Sequence, residues 1–464
     1  MAPRQARSRR RHALTSRAAS AAMPWREAAL ALAPGFLYLA HLAGGANGMA
    51  IAQGFSLVLA LALCAALTSR RARREMADIK STWLLLGLFA AVLLTAVWTL
   101  YAPASQASGP VWRMVEERGA VTVNRSATWL EMIKLGGLAC AFALGCLHGA
   151  RENRARSTIE WLVLFGGVYA ALAIGVFLTG FQVRGRLSGG FLSANSGATV
   201  FGLLIVITTA FLVRQLRRTA RVTPQDRLRK LAVPAGSLLL MTICLVLTAS
   251  RMGLVATGFS VCSLLVWDFG ANRKLRISLR GRDMALAAAA VVMVVCASIP
   301  LWSRIDDLDS DASVRGLIFS THWAAFGASP FFGHGLGSFN DINSQALTTE
   351  NYSVLWSIRA AHNVYIQWLE EAGLVGALPM FALLLATMLI SALQVRRMKS
   401  GHTLARGLVA ANLVVLIHGT SDYALQVPSI AAFWAFLLGL QLAFGQSRAS
   451  ASTVKPGRPV ADGN

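Results

Sequence analysis

Twelve apolar runs constrain this chain more than any other feature. They lie at 27–44, 49–67, 82–101, 127–148, 158–180, 196–213, 233–250, 252–269, 284–302, 373–394, 405–421 and 428–446. Each is long enough to cross about 30 Å of hydrocarbon as a helix. The expected fold is therefore an all-α polytopic membrane protein of about twelve transmembrane helices. Between the ninth and tenth runs stands a polar stretch, 303–372, too long for a structureless connection and read as a large, partly helical outward loop. The remaining divisions follow: a basic tail at 1–26, spans one to nine over 27–302, spans ten to twelve over 373–446, and a tail at 447–464. Only 14% of residues are charged, where a soluble chain carries about 25%.

Charge sets the orientation. With both termini on one side, the segments of that side hold 34 Lys and Arg against 9 Asp and Glu, and the other side 10 against 12. The positive-inside rule makes the first side cytoplasmic. The clusters Arg70–Arg74, Arg214–Arg221 and Arg273–Arg282 all fall there. The net charge of +23 is thereby explained as topology and attraction to anionic headgroups, and nucleic acid is not an expected partner. The Arg-rich start lacks a cleavage site after a short apolar core, so it reads as a retained cytoplasmic tail, not a signal peptide. Cys64, Cys140, Cys146, Cys244, Cys262 and Cys296 all sit inside spans and read as small apolar residues.

The stretch 361–376, AHNVYIQWLEEAGLVG, joins the large loop to the tenth run. On a helix His362, Tyr365 and Leu369 share one face, and Asn363, Gln367 and Glu370 another. An imidazole is thus expected where watery loop meets hydrocarbon. The plainer reading is an interfacial helix with His362, Tyr365 and Trp368 at headgroup level. Four outward arginines accompany it: Arg186, Arg251, Arg315 and Arg359. Arg251 stands in a tight turn, Ser250–Gly253, between two spans, on the side that otherwise avoids positive charge. A guanidinium offers a diphosphate paired hydrogen bonds and a permanent charge; a structural ion pair is its competing role. Arg315 opens an amphipathic segment, 314–326, expected to lie along the membrane surface. Arg186 enters a polar Gly-rich run ending at Asn195, a residue expected to cap the next span. Residues 332–339, FGHGLGSF, form a Gly-punctuated turn.

Other candidates carry less. Asp306, Asp307, Asp309 and Asp311 fail a calcium-loop test, because Ala312 and Ile318 stand where Gly and Glu are needed, and read as a solvated acidic run. His322 and His334 are too isolated to argue zinc, and no metal or cofactor is expected. Asp422, in the turn before the last span, either orients a base, pairs an arginine or simply turns the chain. No hydrolase elbow, Walker loop or metalloprotease motif is present.

These residues resemble the signature of the O-antigen ligase and O-antigen polymerase superfamily. His362-Asn363, nine residues, then Gly373-x-x-Gly376 is the central match. Ser250-Arg251-x-Gly253 precedes it, as does Arg315 ahead of Pro330-x-x-Gly333-x-Gly335-x-Gly337-x-Phe339. Gly185-Arg186 with Asn195 resembles the family's upstream polar loop, except that Ser193-Ala194-Asn195 stands where many members have Asn-Pro-Asn. The resemblance implies transfer of a glycan from undecaprenyl diphosphate to an acceptor hydroxyl, on lipid A-core or a similar acceptor, at the periplasmic face of the bacterial inner membrane. No metal or nucleotide is implied. On this reading His362 is the general base, and Arg251, Arg315, Arg186 and Asn363 bind substrate, with Asp422 and Asn195 as auxiliary candidates. A repeat-unit polymerase is the nearest alternative. A transporter or flippase is the alternative of another class, with His41, His148 and His418 the nearest candidates for a coupling path; such paths need ionisable groups at span centres, which are nearly lacking here.

Overall fold

The computed structural model describes residues 24–103, 120–180, 185–271, 308–398 and 402–451, with side chains described from 32 in the first helix, from 312 in the loop and up to 446 at the end. The ninth expected span, the Arg273–Arg282 cluster, Cys296, most of the terminal tails, part of the 102–126 loop, and Asp306 and Asp307 lie outside the described residues.

The described chain is helical, in the order α1 Pro24–Leu42, α2 Met49–Leu67, α3 Arg70–Ala77, α4 Thr82–Tyr101, α5 Arg125–Gly149, α6 Glu152–Leu178, α7 Ala194–Arg218, α8 Pro224–Leu247 and α9 Arg251–Ala271. Then follow α10 Leu308–Ala328, α11 Phe339–Gln345, α12 Tyr352–Leu355, α13 Val364–Arg397, α14 His402–His418 and α15 Pro428–Ala451. Eleven of the twelve apolar runs thus fall in helices. Among the described residues nine helices are long and apolar enough to cross a membrane, while α1 and α14 contribute shorter apolar stretches. Polar caps fix several starts. The Asn124 side chain accepts from the Ala127 N–H at 3.0 Å, and Thr223 accepts from Asp226 N–H ahead of Pro224 at the first helical position.

Helices α7 and α15 form the centre. Their apolar windows are 89% and 94% buried, against 28–44% for the other seven, so these two are enclosed by protein while the rest present apolar faces outward. Helix α15 packs most extensively on α5. The approach is close because Gly145 and Gly439 have no side chain: a Cβ on Gly145 would strike the Phe436 carbonyl, and one on Gly439 the Phe142 carbonyl. Small residues at such crossings let two backbones touch, which is how helices gain packing energy in lipid.

The expected Gly-rich turn has a structural partner. Helix α13 is broken at Gly373, whose φ is +59°. The break frees two helical hydrogen bonds, and residues 330–335 take both sides. Leu374 N–H donates to Pro330 O at 2.8 Å and Val375 N–H to Phe331 O at 2.9 Å. In return the Glu370 and Glu371 carbonyls accept from His334 N–H at 3.0 Å and Gly335 N–H at 2.9 Å. These four bonds replace helical ones at the break, as burial of backbone groups requires. Gly333 (φ +66°) lies so near that a Cβ there would stand 2.5 Å from the Glu371 carbonyl.

Candidate active site

His362, Asn363 and the start of α13 build one wall. Helix α13 begins at Val364, so His362 does not share a helical face with Tyr365 and Leu369 as expected. Asn363 is the N-cap: its Oδ1 accepts from Tyr365 N–H at 3.0 Å and Ile366 N–H at 3.1 Å. Its Nδ2 donates to Thr420 O at 3.1 Å, and Val364 N–H donates to Gly419 O at 2.9 Å. The α14–α15 turn is thereby stitched behind His362, which adopts a left-handed conformation with φ +53°. An L-residue there costs about 1–2 kcal/mol, a strain that clusters at functional sites.

The arginines arrive from three other elements. Arg251 is the first residue of α9. Arg315 stands seven residues inside α10, not at its start, because the helix opens at Leu308. Arg186 precedes α7, and its guanidinium is partly committed: Nε donates to Thr248 O at 2.7 Å and Nη2 to Asn195 Oδ1 at 2.8 Å. Asn195 is therefore not the cap of α7. Ser193 is, its side chain accepting from Asn195 N–H, because the shorter serine reaches the backbone while the amide turns to Arg186. Arg186, Asn195, Arg251, Arg315 and His362 meet in one cavity of about 490 Å³, lined also by Ser193, Ala249, Ser250, Ser357, His418 and Tyr423. Asn363, expected to bind substrate, and Asp422 are not among its lining residues, the Asn363 side chain being spent on the helix cap and Thr420 O. Arg359, the fourth outward arginine, is exposed and outside the cavity.

Burial and then the Arg315 guanidinium push the His362 imidazole down to about 4, so the ring is neutral at physiological pH. Its edge meets the Tyr423 ring, centroids 4.8 Å apart. Asp422 is fully buried. Burial raises its carboxyl to about 7, against the opposing pull of the Tyr423 N–H, Arg315, the Ala424 N–H and Asn195. The arrangement thus offers fixed cations for an anion, a neutral base, and a carboxyl poised near neutrality. Among the described residues no group of three or more His, Cys, Asp or Glu side chains could hold a metal ion.

Residues 236–381 match the model of the O-antigen ligase family. No curated protein matches the chain. The matched segment contains Arg251, Arg315, His362, Asn363 and the Gly-rich turn at 332–339. Arg186, Asn195, His418, Asp422 and Tyr423 lie outside it, so α7 and the α14–α15 turn complete the cavity from beyond the matched segment.

Sequence reasoning missed several of these residues. His418 lines the cavity. His322, in α10, is fully buried against Glu370, its Nδ1 3.0 Å from both carboxylate oxygens. Glu371 accepts from Gly337 N–H at 2.8 Å and Gln367 Nε2 at 2.9 Å. The available signal was the pair Glu370-Glu371 inside an otherwise apolar helix: ionisable residues in membrane helices need a partner.

Proposed function

We propose that this cavity transfers a glycan from undecaprenyl diphosphate to an acceptor hydroxyl, of lipid A-core or a similar sugar, at the periplasmic face of the bacterial inner membrane. The observation that carries this reading is the convergence of Arg186, Arg251, Arg315 and His362 on one cavity. The basic Arg217 and Arg406 sit at the far ends of α7 and α14, which supports placing the cavity on the side opposite the cytoplasm.

The reaction is a single displacement. The acceptor oxygen bonds to the anomeric carbon as His362 takes its proton. The carbon–oxygen bond to phosphate breaks, and its electron pair leaves with undecaprenyl diphosphate. Arg251 and Arg315 hold that diphosphate and stabilise the charge it gains. The arriving anion offsets the Arg315 field at His362, so donor binding raises the imidazole's proton affinity when a base is needed. An apolar groove between α4, α5, α13 and α15 ends at Val364 and Tyr365, a suitable surface for a polyprenyl tail.

Deleting the gene and extracting lipid-linked glycan together with surface polysaccharide tests the assignment. A ligase deletion leaves long chains on the carrier. A polymerase deletion leaves single repeat units on the lipid core, and unchanged pools with altered uptake point to a transporter. In purified, correctly inserted protein, Arg315→Ala and Arg251→Ala should each lower transfer by about 10²–10³-fold.

A further inference from the structure

His418 is at the cavity wall yet outside the matched ligase segment, and none of the steps above uses it. Its ring is 1% exposed. Nδ1 lies 2.7 Å from Thr199 Oγ1, on the first turn and a half of α7. Nε2 lies 3.3 Å from Ser250 Oγ. Ser250 is the residue before Arg251, and its Oγ also accepts from Gly253 N–H at 3.3 Å, capping α9. Thr199 Oγ1 lies 3.4 Å from Asn195 O. One arrangement of protons satisfies all of these groups. Thr199 donates to Asn195 O, His418 Nδ1–H donates to Thr199, and Ser250 donates to Nε2 while accepting from Gly253. The imidazole is then neutral, with no proton left over and no lone pair wasted.

We propose that His418 is a positioning residue that clamps the Arg251 helix start to α7, fixing the spacing of Arg251 from Arg186 for a diphosphate. The inference rests on the transferase reading above. Its geometry is specific. The turn Thr248–Ser250 is tied to α7 twice: by Arg186, bridging Thr248 O and Asn195, and by His418, bridging Ser250 and Thr199. Between the two ties Ala249 is held at φ +48°, a conformation an unsupported alanine abandons. Releasing the His418 tie lets the turn relax and moves the base of Arg251, while the bonds of Asn363 to Thr420 O and of Val364 N–H to Gly419 O still hold His362 in place.

The test uses the full-length protein in nanodiscs and measures binding of undecaprenyl diphosphate and of inorganic pyrophosphate, along with KM for donor and acceptor. His418→Ala, Thr199→Val and Ser250→Ala should each weaken diphosphate binding and raise donor KM by about 3–10-fold, the size of a lost hydrogen bond, with acceptor KM unmoved. His418→Gln keeps an atom near Nε2 and His418→Asn one near Nδ1. Each keeps only one end of the bridge, so adding Thr199→Val should cost nothing further in either. In an Arg251→Ala background, His418→Ala should cost no additional diphosphate binding, because both act through one guanidinium. A merely structural histidine fails this cycle, lowering binding equally in both backgrounds or lowering only protein yield, and either result overturns the clamp. Parent protein that binds neither probe overturns the diphosphate reading and the clamp together; parent protein that binds both, with His418→Ala unchanged, overturns the clamp alone.

Discussion

At the scale of the residue, His362 separates chemistry from folding. Its left-handed backbone is unfavourable for a histidine, and asparagine is among the residues that tolerate it best. His362→Asn should therefore insert and fold at least as well as the parent, with transfer lowered by about 10²–10⁴-fold, the usual worth of a general base; a variant transferring at the parental rate would remove His362 from the mechanism. Two titrations of opposite sign give a second check. Asp422 has its proton affinity raised on folding, to about 7. Its contribution to stability is full below about 3.9, the ordinary carboxylate value, and is lost as pH rises through 7. His362 is lowered to about 4. Its contribution is full above about 6.5 and lost as pH falls through 4. The two oppose one another across pH 4–6.5. Thermal unfolding in detergent should show Asp422→Asn gaining on the parent as pH rises from 4 to 7, and His362→Asn falling behind it from 4 to 6.5. That His362, Arg186, Arg251 and Arg315 were candidates was legible in the sequence, because a permanent cation on the side expected to avoid positive charge needs a reason. The backbone that aims His362 was not, since a helical period places every residue of 361–376 on a helix and cannot announce that the first three precede it.

At the scale of the element, the clasp between 330–335 and the broken helix α13 explains the glycines at 333 and 373, while Gly335 clears Thr122 and Gly337 clears Ala127 and Glu131 of α5. Their spacing was visible in the sequence; their purpose depended on partners far away in the chain. At 333 and 373 the backbone of each side of the clasp occupies the space a Cβ would need on the other, and a Cβ on Gly373 would strike the Phe331 carbonyl. Gly373→Ala and Gly333→Ala combine that collision with a forbidden φ, so each should destabilise the protein by about 2–5 kcal/mol. Gly316, in α10, is the control: a Cβ there meets nothing within 4 Å and its φ is ordinary. Gly316→Ala should raise stability by about 0.5–1 kcal/mol. Unfolding temperatures that fall equally for all three would show that α10 and the clasp are sensitive to glycine replacement for some reason other than space. The clasp also sets α10, and with it Arg315, against α13: His322 on α10 meets Glu370, whose carbonyl the clasp holds.

At the scale of the whole molecule, the helices that supply the cavity from α7, α9 and α14 are joined again at their other ends. Asp268, on α9, is 1% exposed. It pairs with Arg217 of α7 and with Arg406 of α14 at 2.7 Å, and accepts from Thr403 Oγ1 at 3.0 Å. Arg406 lies over the Trp267 ring and Arg217 over Phe269. Topology made this junction partly foreseeable, for the positive-inside count put those arginines together on one side. It did not foresee one carboxylate serving two of them, because each charge belongs to a different helix, far apart in the sequence. The three helices run from Asp268 to the cavity over about 26 Å, at 1.5 Å per residue from 268 back to 251. Two anchored ends make them levers: loosening one end shifts the spacing of Asn195, Arg251 and His418 at the other. Asp268→Ala strands two buried guanidinium groups and should cost about 3–5 kcal/mol. The protein that remains folded should bind undecaprenyl diphosphate more weakly, although the substitution touches no cavity residue. Asp268→Asn keeps the volume and the Thr403 contact and should lose less of both. Parental diphosphate binding by a destabilised Asp268→Ala protein would show that the two ends of the bundle are independent, and that the cavity takes its geometry from local ties alone.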